Sequence, residues 1–317
     1  RLKCACAERS VRGPSRVCAL AVSCIGLASC WPSGDGAPGD AAGCADLVRL
    51  PVETYHGAFE AASFVSSDGE SPHLVLFGTS HVTDLEHPQF KALQSLMDEG
   101  EFAHVLLEQK PVLPPSPGSD ARIVRQYSEF GFVVSHYRDE HSVLLSGIDP
   151  ARELVVRHLL NAFEARQIQT AFTLRRMASS SFRRLESEVA RRAYIARTLA
   201  FARAGVDPQA GGDWFETADE FLDAVDAEWP GLDLQTLNSR WFSPLQTSAQ
   251  TGSHFINDVI AGESLFRSRA MYQEIAKTLA RYPEDSVLVI VGSGHAYAIE
   301  GAAACLAKAH GLKRQLE

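Results

Sequence analysis

The sequence predicts an α/β fold with a central sheet, βαβ units and a helical insertion in the middle of the chain. Two short apolar segments, 73–77 and 286–291, each run directly into a Gly-x-x-His tetrapeptide. Each tetrapeptide is followed by a helical pattern, and the order strand, turn, helix is typical of α/β proteins. Parallel strands present their C-terminal ends at one edge of the sheet, so both histidines are expected there.

The first βαβ unit is predicted as a strand over 73–77, a helix over 88–99 and a second strand over 104–108. Apolar side chains recur at helical spacing in the middle segment, whereas the two strands are short apolar runs. His81 follows the first strand and Glu108 ends the second. The two side chains are therefore expected to meet at the C-terminal edge of the sheet.

The pattern after residue 120 is mainly helical. A helix is predicted over 121–130 and a weak strand over 142–148. The arginine-rich residues 151–204 and the residues 214–228 have helical patterns, which are typical of helices that pack over a sheet or form a lid. The polar segment 242–252 is predicted to be a mobile loop.

The last third of the chain is predicted to alternate helix and strand. A helix over 254–280, interrupted near Gly262, precedes the strand 286–291 and a helix over 296–310. The strand, Val287-Leu-Val-Ile-Val291 with a preceding serine, is the clearest apolar run in the chain.

The composition argues against a nucleic-acid partner and against a scaffold held by disulfides or zinc. The formal net charge is -9 and no block of Lys and Arg occurs beyond the first residues, so a nucleic-acid partner is not expected. Five of the seven cysteines lie within the first 30 residues, leaving Cys44 and Cys305 for the rest. This distribution predicts neither a disulfide framework nor a structural zinc site.

The N-terminal segment has the pattern of a secretory signal. A basic stretch over 1–16 precedes an apolar run over 17–28 that is too short to span a membrane, which needs about 20 residues. The run ends in Leu-Ala-Ser-Cys30, which resembles the lipobox of bacterial lipoproteins, although small residues also precede a cysteine by chance. We expect a signal peptide over 1–29, a lipid anchor on the membrane at Cys30 and an exported, cell-envelope location.

The domain organisation follows from these segments. The Gly-, Ala- and Pro-rich residues after Cys30 predict a flexible tether over 30–50. The α/β domain then occupies 51–317, with its helical insertion at about 151–240.

His81, Glu108 and His295 are the candidate catalytic residues. Two neutral imidazoles and a carboxylate with an open position suit a divalent metal such as zinc, manganese or cobalt. The same side chains allow a metal-free reaction, in which one histidine is a general base for water and Glu108 orients it. A third interpretation is that each histidine only caps a helix or forms a hydrogen bond within its turn.

Arg267 is the fourth candidate. It lies four residues before Met271 on a predicted helix, so the two side chains share a face and Arg267 points inward if Met271 is buried. A buried arginine requires an anionic partner, and Arg267 is suited to bind a substrate carboxylate or an oxyanion. The alternative is a surface salt bridge with Glu263 or Glu274. Asp149 is a weaker candidate at the same sheet edge.

Other catalytic motifs are incomplete. The sequence after Gly292 begins like a dinucleotide-binding fingerprint but has Tyr297 at the place of its third glycine. Val82 replaces the glycine that a nucleophile elbow needs, and no His-Glu-x-x-His motif occurs. Serine-hydrolase and zincin mechanisms are therefore disfavoured.

The motifs together resemble the Tiki/TraB superfamily. The resemblance rests on Leu76-Phe-Gly-Thr-Ser-His-Val82, Leu106-Leu-Glu108, Arg267-x-x-x-Met271 and Val289-Ile-Val-Gly-Ser-Gly-His295, in this order. It covers 71–110 and 255–312 and implies that the motifs meet at one sheet edge. Relatives include metal-dependent Tiki proteases, erythromycin esterase-like hydrolases that work without a metal, and ChaN haem-binding lipoproteins.

The resemblance implies two functions from different classes. The first is a hydrolase, metallopeptidase-like or esterase-like, that acts on a peptide or a small molecule. The second is a lipoprotein that binds haem or a metal without catalysis, with a histidine or Tyr297 as the axial ligand of haem. Ala296-Tyr297 departs from the family pattern after the second histidine, which leaves the subgroup open. A catalytically inactive scaffold is the third possibility.

Overall fold

A six-stranded mixed sheet forms the centre of the α/β fold in the computed structural model. The structure describes residues 43–50, 61–65, 73–112, 119–204 and 212–315. The predicted signal peptide, Cys30 and the first part of the predicted tether lie outside the described residues. The strands are β1 (Ala62–Val65), β2 (Leu74–Thr79), β3 (His104–Leu107), β4 (Leu144–Gly147), β5 (Val287–Gly292) and β6 (Lys313–Arg314).

The strand order places the two Gly-x-x-His segments side by side. Across the sheet the strands are ordered β4-β3-β5-β2-β1-β6, and the first four are parallel. β1 pairs antiparallel with both β2 and β6. Thr79 at the end of β2 is level with Gly292 at the end of β5, and Leu107 of β3 is level with Ile290. The chain therefore leaves these three strands at one edge.

Buried apolar strands explain why this parallel sheet forms. Every residue of β2, β3 and β5 is buried, as expected for parallel strands that are covered on both faces. The edge strand β4 is mostly exposed. The prediction of strands near 73–77, 104–108 and 286–291 is confirmed. β1 and β6 were not predicted.

Ten helices surround the sheet in the described part of the chain. They are α1 (Pro88–Glu99), α2 (Asp120–His136), α3 (Arg152–Leu159), α4 (Ala165–Met177), α5 (Ser180–Arg183), α6 (Glu188–Arg203), α7 (Ala218–Glu228), α8 (Ser248–Thr251), α9 (Ile256–Arg281) and α10 (Ser293–Ala309). Short 3-10 turns occupy Ala45–Leu47 and Ser239–Phe242. None of the described helices is long and apolar enough to cross a membrane.

The helices cover the sheet in two layers and form a third apolar core of their own. α1 and α2 pack on one face of the sheet, while α10 and the second half of α9 pack on the other. The helices α3 to α7 bury their apolar side chains against one another and against the first half of α9. We call α3 to α7 the helical layer. It corresponds to the predicted insertion.

Helix α9 joins the helical layer to the sheet. Its 26 residues run without the predicted interruption at Gly262. Glycine disfavours a helix interior by about 1 kcal/mol relative to alanine, so a break was the local expectation. A Cβ at Gly262 would lie 3.2 Å from the Leu159 side chain, and glycine therefore lets α3 pack closely against α9. Tertiary packing explains why the helix continues.

Residues 43–50 belong to the folded domain and not to a flexible tether. Cys44 and Val48 are buried, and Cys44 forms a disulfide with Cys305 of α10. The Arg49 N–H donates to the carbonyl of Ala298, 3.1 Å away. The cysteine spacing did not predict this disulfide, because its two ends are 261 residues apart. Cross-linking and burial fix this end of the predicted tether.

The predicted mobile loop over 242–252 is also ordered. It contains the end of a 3-10 turn and helix α8, and the buried Asn257 anchors the turn. The Asn257 side-chain amide donates to the carbonyls of Arg240 and Ser243 at 2.8 and 2.7 Å. These hydrogen bonds satisfy two backbone carbonyls and so hold the segment in place.

Candidate active site

His81 is held by a buried carboxylate that the sequence analysis did not identify. The His81 Nδ1 lies 2.6 Å from Glu129 Oε1, and the Thr79 hydroxyl donates to the same oxygen at 3.0 Å. Glu129 is completely buried, whereas 53% of the His81 side chain is exposed. The hydrogen bond that His81 donates to Glu129 raises the pKa of His81 above its usual value, against the opposing effect of burial. The ring thus offers Nε2 to solvent.

The loop that carries His81 is fixed by Gln89. Its side-chain carbonyl accepts from the Ser80 N–H at 2.9 Å, and its amide donates to the Ser80 carbonyl at 2.8 Å. Gln89 is buried in the first turn of α1, which begins with Pro88 at a position that favours proline. Two hydrogen bonds to one residue restrict the backbone next to His81. Hydrogen bonds to the His81 ring and to the backbone of the preceding Ser80 therefore fix the position of the imidazole.

Glu108 follows β3 and is engaged on both of its oxygens. Oε1 accepts from the Arg267 guanidinium and Oε2 accepts from the backbone N–H of Gly292, both at 2.7 Å. Burial acts to raise the pKa of Glu108, but His295, Arg267 and the Gly292 N–H together lower it below its usual value. Glu108 is therefore a carboxylate at neutral pH.

Arg267 bridges two carboxylates at the sheet edge. Besides Glu108, it binds Asp149 through Nε at 2.7 Å and through Nη2 at 3.0 Å. Met271 is fully buried, which agrees with the predicted inward direction of Arg267. The anionic partners are Glu108 and Asp149, and not Glu263 or Glu274 as in the surface alternative. Arg267 therefore positions Glu108 and Asp149 in this arrangement.

His295 lies in the first turn of α10, one strand away from His81. The Ser268 hydroxyl donates to the carbonyl of Ser264 at 2.9 Å, so it accepts from His295 Nδ1 at 2.8 Å. This assigns the proton to Nδ1 and leaves Nε2 3.8 Å from Glu108 Oε1. Burial lowers the pKa of His295 to about 4. The imidazole is consequently neutral at neutral pH.

Gly292 separates His81 from Glu108. Its φ of -55° and ψ of 142° are open to any residue, so the backbone does not require glycine here. A Cβ at this position would lie 3.1 Å from Glu108 Oε2 and 3.2 Å from His81 Nε2. Both polar atoms therefore pack closely against Gly292, where even a methyl group would be crowded. The reason for glycine is this close approach, and not a special backbone conformation.

The predicted metal ligands are close together but do not form a ligand set. No group of three or more His, Cys, Asp or Glu side chains within the described ranges is arranged to hold a metal ion. Glu108 already accepts two hydrogen bonds, and the Arg267 guanidinium would repel a cation bound beside it. Glu108 would have to release Arg267 before it could ligate a cation.

The sequence does not predict three side chains that hold the candidate histidines in place, namely Glu129, Thr79 and Ser268. Glu129 gives the clearest signal, because it is an acid at the start of the apolar run 129–134. The predicted helix ended at Phe130, whereas α2 continues to His136 and buries this run. Tyr297, the tyrosine considered for haem, lies on α10, is partly buried and packs against the core.

Comparison with protein-family models, with curated proteins and with solved structures gave no match to this chain. The family resemblance therefore rests on the sequence motifs, and the chemistry of the site on its geometry.

Proposed function

We propose that the chain is a hydrolase in which His81 is the general base that activates water. The observation that carries this proposal is the hydrogen bond between the half-exposed His81 and the buried Glu129. A histidine that is oriented by a carboxylate on Nδ1 and open on Nε2 is suited to proton transfer. No hydroxyl or thiol within the described residues is hydrogen-bonded to the His81 ring, which favours water as the nucleophile.

The reaction follows from these atoms. His81 Nε2 accepts a proton from water while the water oxygen attacks the carbonyl carbon of an ester or an amide. The imidazolium that forms is stabilised by the Glu129 carboxylate, which keeps the Nδ1 proton in place. The same Nε2 proton then passes to the leaving oxygen or nitrogen as its bond to carbon breaks. One acid and one alcohol or amine result.

Glu108 is placed to orient the water. Its Oε2 and His81 Nε2 both lie close to Gly292, and the proposal has the water bound between these two atoms. A carboxylate oxygen accepts more than one hydrogen bond, so Oε2 can bind water in addition to the Gly292 N–H. Arg267 keeps Glu108 ionised and in position. His295, neutral and buried, completes the wall of the site.

A metal-dependent peptidase remains the alternative within the hydrolase class. One observation favours it: both histidines engage Nδ1 in a hydrogen bond, as metal-bound histidines commonly do. It requires Glu108 to leave Arg267. The haem-binding alternative rests on the sequence resemblance alone.

We infer that the domain works in an oxidising compartment. The Cys44–Cys305 disulfide supports this inference, because such bonds persist in secreted and envelope proteins and are rare in reducing compartments. This agrees with the predicted export. The lipid anchor at Cys30 stays a prediction from the sequence.

The proposal is tested by an activity screen on esters and peptides with the purified chain. General acid–base catalysis contributes about 10²–10⁴-fold, so His81→Gln should lose at least about a hundredfold in kcat/KM. His141→Gln, an exposed histidine outside the site, should be unchanged. Activity that survives in His81→Gln contradicts the proposal.

Assays with a chelator and with added haem distinguish the metal-free hydrolase from the peptidase and haem-binding alternatives. The metal-free reaction predicts equal rates with and without chelator. Activity that chelator removes and zinc, manganese or cobalt restores would favour the peptidase alternative. A Soret band after haem addition, without hydrolysis, would favour the haem-binding one.

A further inference from the structure

We propose that a group of arginines and phenylalanines beside the active site binds an anionic oxygen group, a carboxylate or a phosphate, on the substrate. The group comprises Arg152, Arg175, Arg176, Phe172 and Phe201, and we call it the arginine–phenylalanine cluster. The inference rests on the proposed hydrolase function, because the bound anion is then part of the substrate.

Two guanidinium groups share the ring of Phe201. The guanidinium carbon of Arg152 lies 4.0 Å from the centre of this ring, and that of Arg176 lies 3.9 Å from it. Arg152 also lies 4.8 Å from the ring centre of Phe172, and its Nε donates to the Phe201 carbonyl at 3.0 Å. Stacking on aromatic faces holds a guanidinium in a fixed plane. The remaining N–H groups are pre-oriented as donors.

The cluster carries more positive than negative charge. Glu263 is its one carboxylate contact among the described residues, and it pairs with Arg175 at 2.6 and 3.0 Å. Neither Arg152 nor Arg176 forms an ion pair with a described carboxylate. Arg175 and Arg176 repel the charge of Arg152, and an added anion would relieve this repulsion.

Arg152 is the least compensated of the three. Burial and the neighbouring Arg176 and Arg175 lower its pKa to about 10, although Glu263 acts in the opposite direction. It remains charged at neutral pH. Arg152 is also the first residue of α3, where the helix dipole disfavours a cation. An anion bound here would offset both effects.

Two connections place the cluster next to the active site. Arg152 lies three residues after Asp149, which binds Arg267. Glu263, the partner of Arg175, lies one helical turn before Arg267 on α9. Phe201 is 39% exposed and the Arg175 side chain 36% exposed, so a ligand can reach the cluster from solvent. A substrate can therefore place its anion here and its ester or amide near His81.

A direct binding measurement tests the site without hydrolysis. Isothermal titration of the full chain at low ionic strength uses inorganic phosphate and succinate as separate probes. A charged hydrogen bond is worth about 1.5–3 kcal/mol, so Arg152→Gln and Arg176→Gln should each weaken binding about tenfold or more. Arg157→Gln removes an exposed charge from the same helix and should bind as the wild type does.

The two probes identify the anion, and a folding control distinguishes lost binding from lost stability. The probe that binds tighter identifies the anion as a phosphate or a carboxylate. Arg176 is exposed, so Arg176→Gln should keep the wild-type Tm even if Arg152→Gln is destabilised. The proposal is overturned if neither probe binds the wild type, or if Arg176→Gln binds both with wild-type affinity.

An activity arm separates this inference from the hydrolase proposal. His81→Gln should lose hydrolysis and keep phosphate or succinate binding. The wild type should prefer p-nitrophenyl hemisuccinate to p-nitrophenyl butyrate, and Arg176→Gln should reduce this preference about tenfold, the loss of one charged hydrogen bond. Anion binding that depends on Arg176, in a chain without hydrolytic activity, would sustain the site and reject the hydrolase.

Discussion

At the residue scale, the hydrolase proposal places the reacting water between His81 and Glu108, beside Gly292. His81 Nε2 and Glu108 Oε2 approach Gly292 from the ends of two different strands. Each of them is fixed by a hydrogen bond to a buried or backbone group, so neither moves away at low cost. A side chain at position 292 would therefore displace one or both of these atoms.

We expect Gly292→Ala to reduce kcat/KM about a hundredfold, because small displacements of reacting groups have effects of this order. The added methyl would lie 3.1 Å from Glu108 Oε2 and 3.2 Å from His81 Nε2. Gly301→Ala in α10 is the matched control, since its methyl would meet only the Leu47 carbonyl at 3.8 Å. Steady-state kinetics of both variants checks this. Similar rates in the two would show that catalysis does not depend on the close approach of His81 and Glu108 to Gly292.

The four candidate residues could be predicted from short motifs, whereas their partners could not. His81, Glu108 and His295 follow apolar strands, and the fold brings strand ends together. Glu129 lies 48 residues after His81 on a helix, and no local pattern joins them. Ser268 likewise binds His295 across 27 residues. Such contacts are tertiary, so the spacing of residues along the chain does not predict them.

At the element scale, helix α2 contains a break that places Glu129 in the interior. Ser128 has φ 54° and ψ -153°, a conformation that non-glycine residues rarely adopt. The next residue, Glu129, is fully buried beneath His81 and Thr79. An uninterrupted helix would turn this carboxylate to another direction. The break is therefore part of how the sequence positions His81.

Substitution of Ser128 by glycine should stabilise the protein. Relief of the strained backbone is expected to raise the free energy of unfolding by about 1 kcal/mol. Ser135→Gly, in the helical part of α2, should instead lower it by about 0.5–1 kcal/mol. Denaturant titration of the two variants measures both signs. A loss of stability in both would mean that Ser128 is not strained.

The strands that could be predicted are those whose own residues form a clear apolar pattern. β2, β3 and β5 are uniformly apolar because they are buried on both faces. β1 alternates buried and half-buried residues over only four positions, and β6 has two residues. Both exist because they pair with neighbours across the sheet. Their short sequences carry too little pattern to identify them.

At the scale of the whole molecule, two connections make the site depend on distant parts of the chain. Helix α9 packs against the helical layer at its start and against the sheet at its end, with Arg267 between. The Cys44–Cys305 disulfide ties residues near the start of the described chain to α10. The same α10 carries His295 in its first turn. Loss of either connection would loosen the helices that line the site.

We expect removal of the disulfide to lower stability strongly. A cross-link over a long loop typically contributes about 2–5 kcal/mol, chiefly by restricting the unfolded chain. The double variant Cys44→Ala/Cys305→Ala should therefore have a lower Tm than the oxidised wild type in thermal melts. Reductant should lower the Tm of the wild type and leave that of the double variant unchanged. An equal Tm for all samples would contradict the prediction that the disulfide stabilises the protein.

The most direct test of the central claim is the pH dependence of kcat/KM for the wild type and Glu129→Gln. A general base must be neutral, so activity rises with pH as His81 loses its proton. Glu129 raises the pKa of His81, so the wild-type midpoint should lie above 6.5. In Glu129→Gln the midpoint should move to lower pH, and the plateau should fall about a hundredfold or more. An unchanged midpoint and plateau would contradict the assignment of His81 as the base oriented by Glu129.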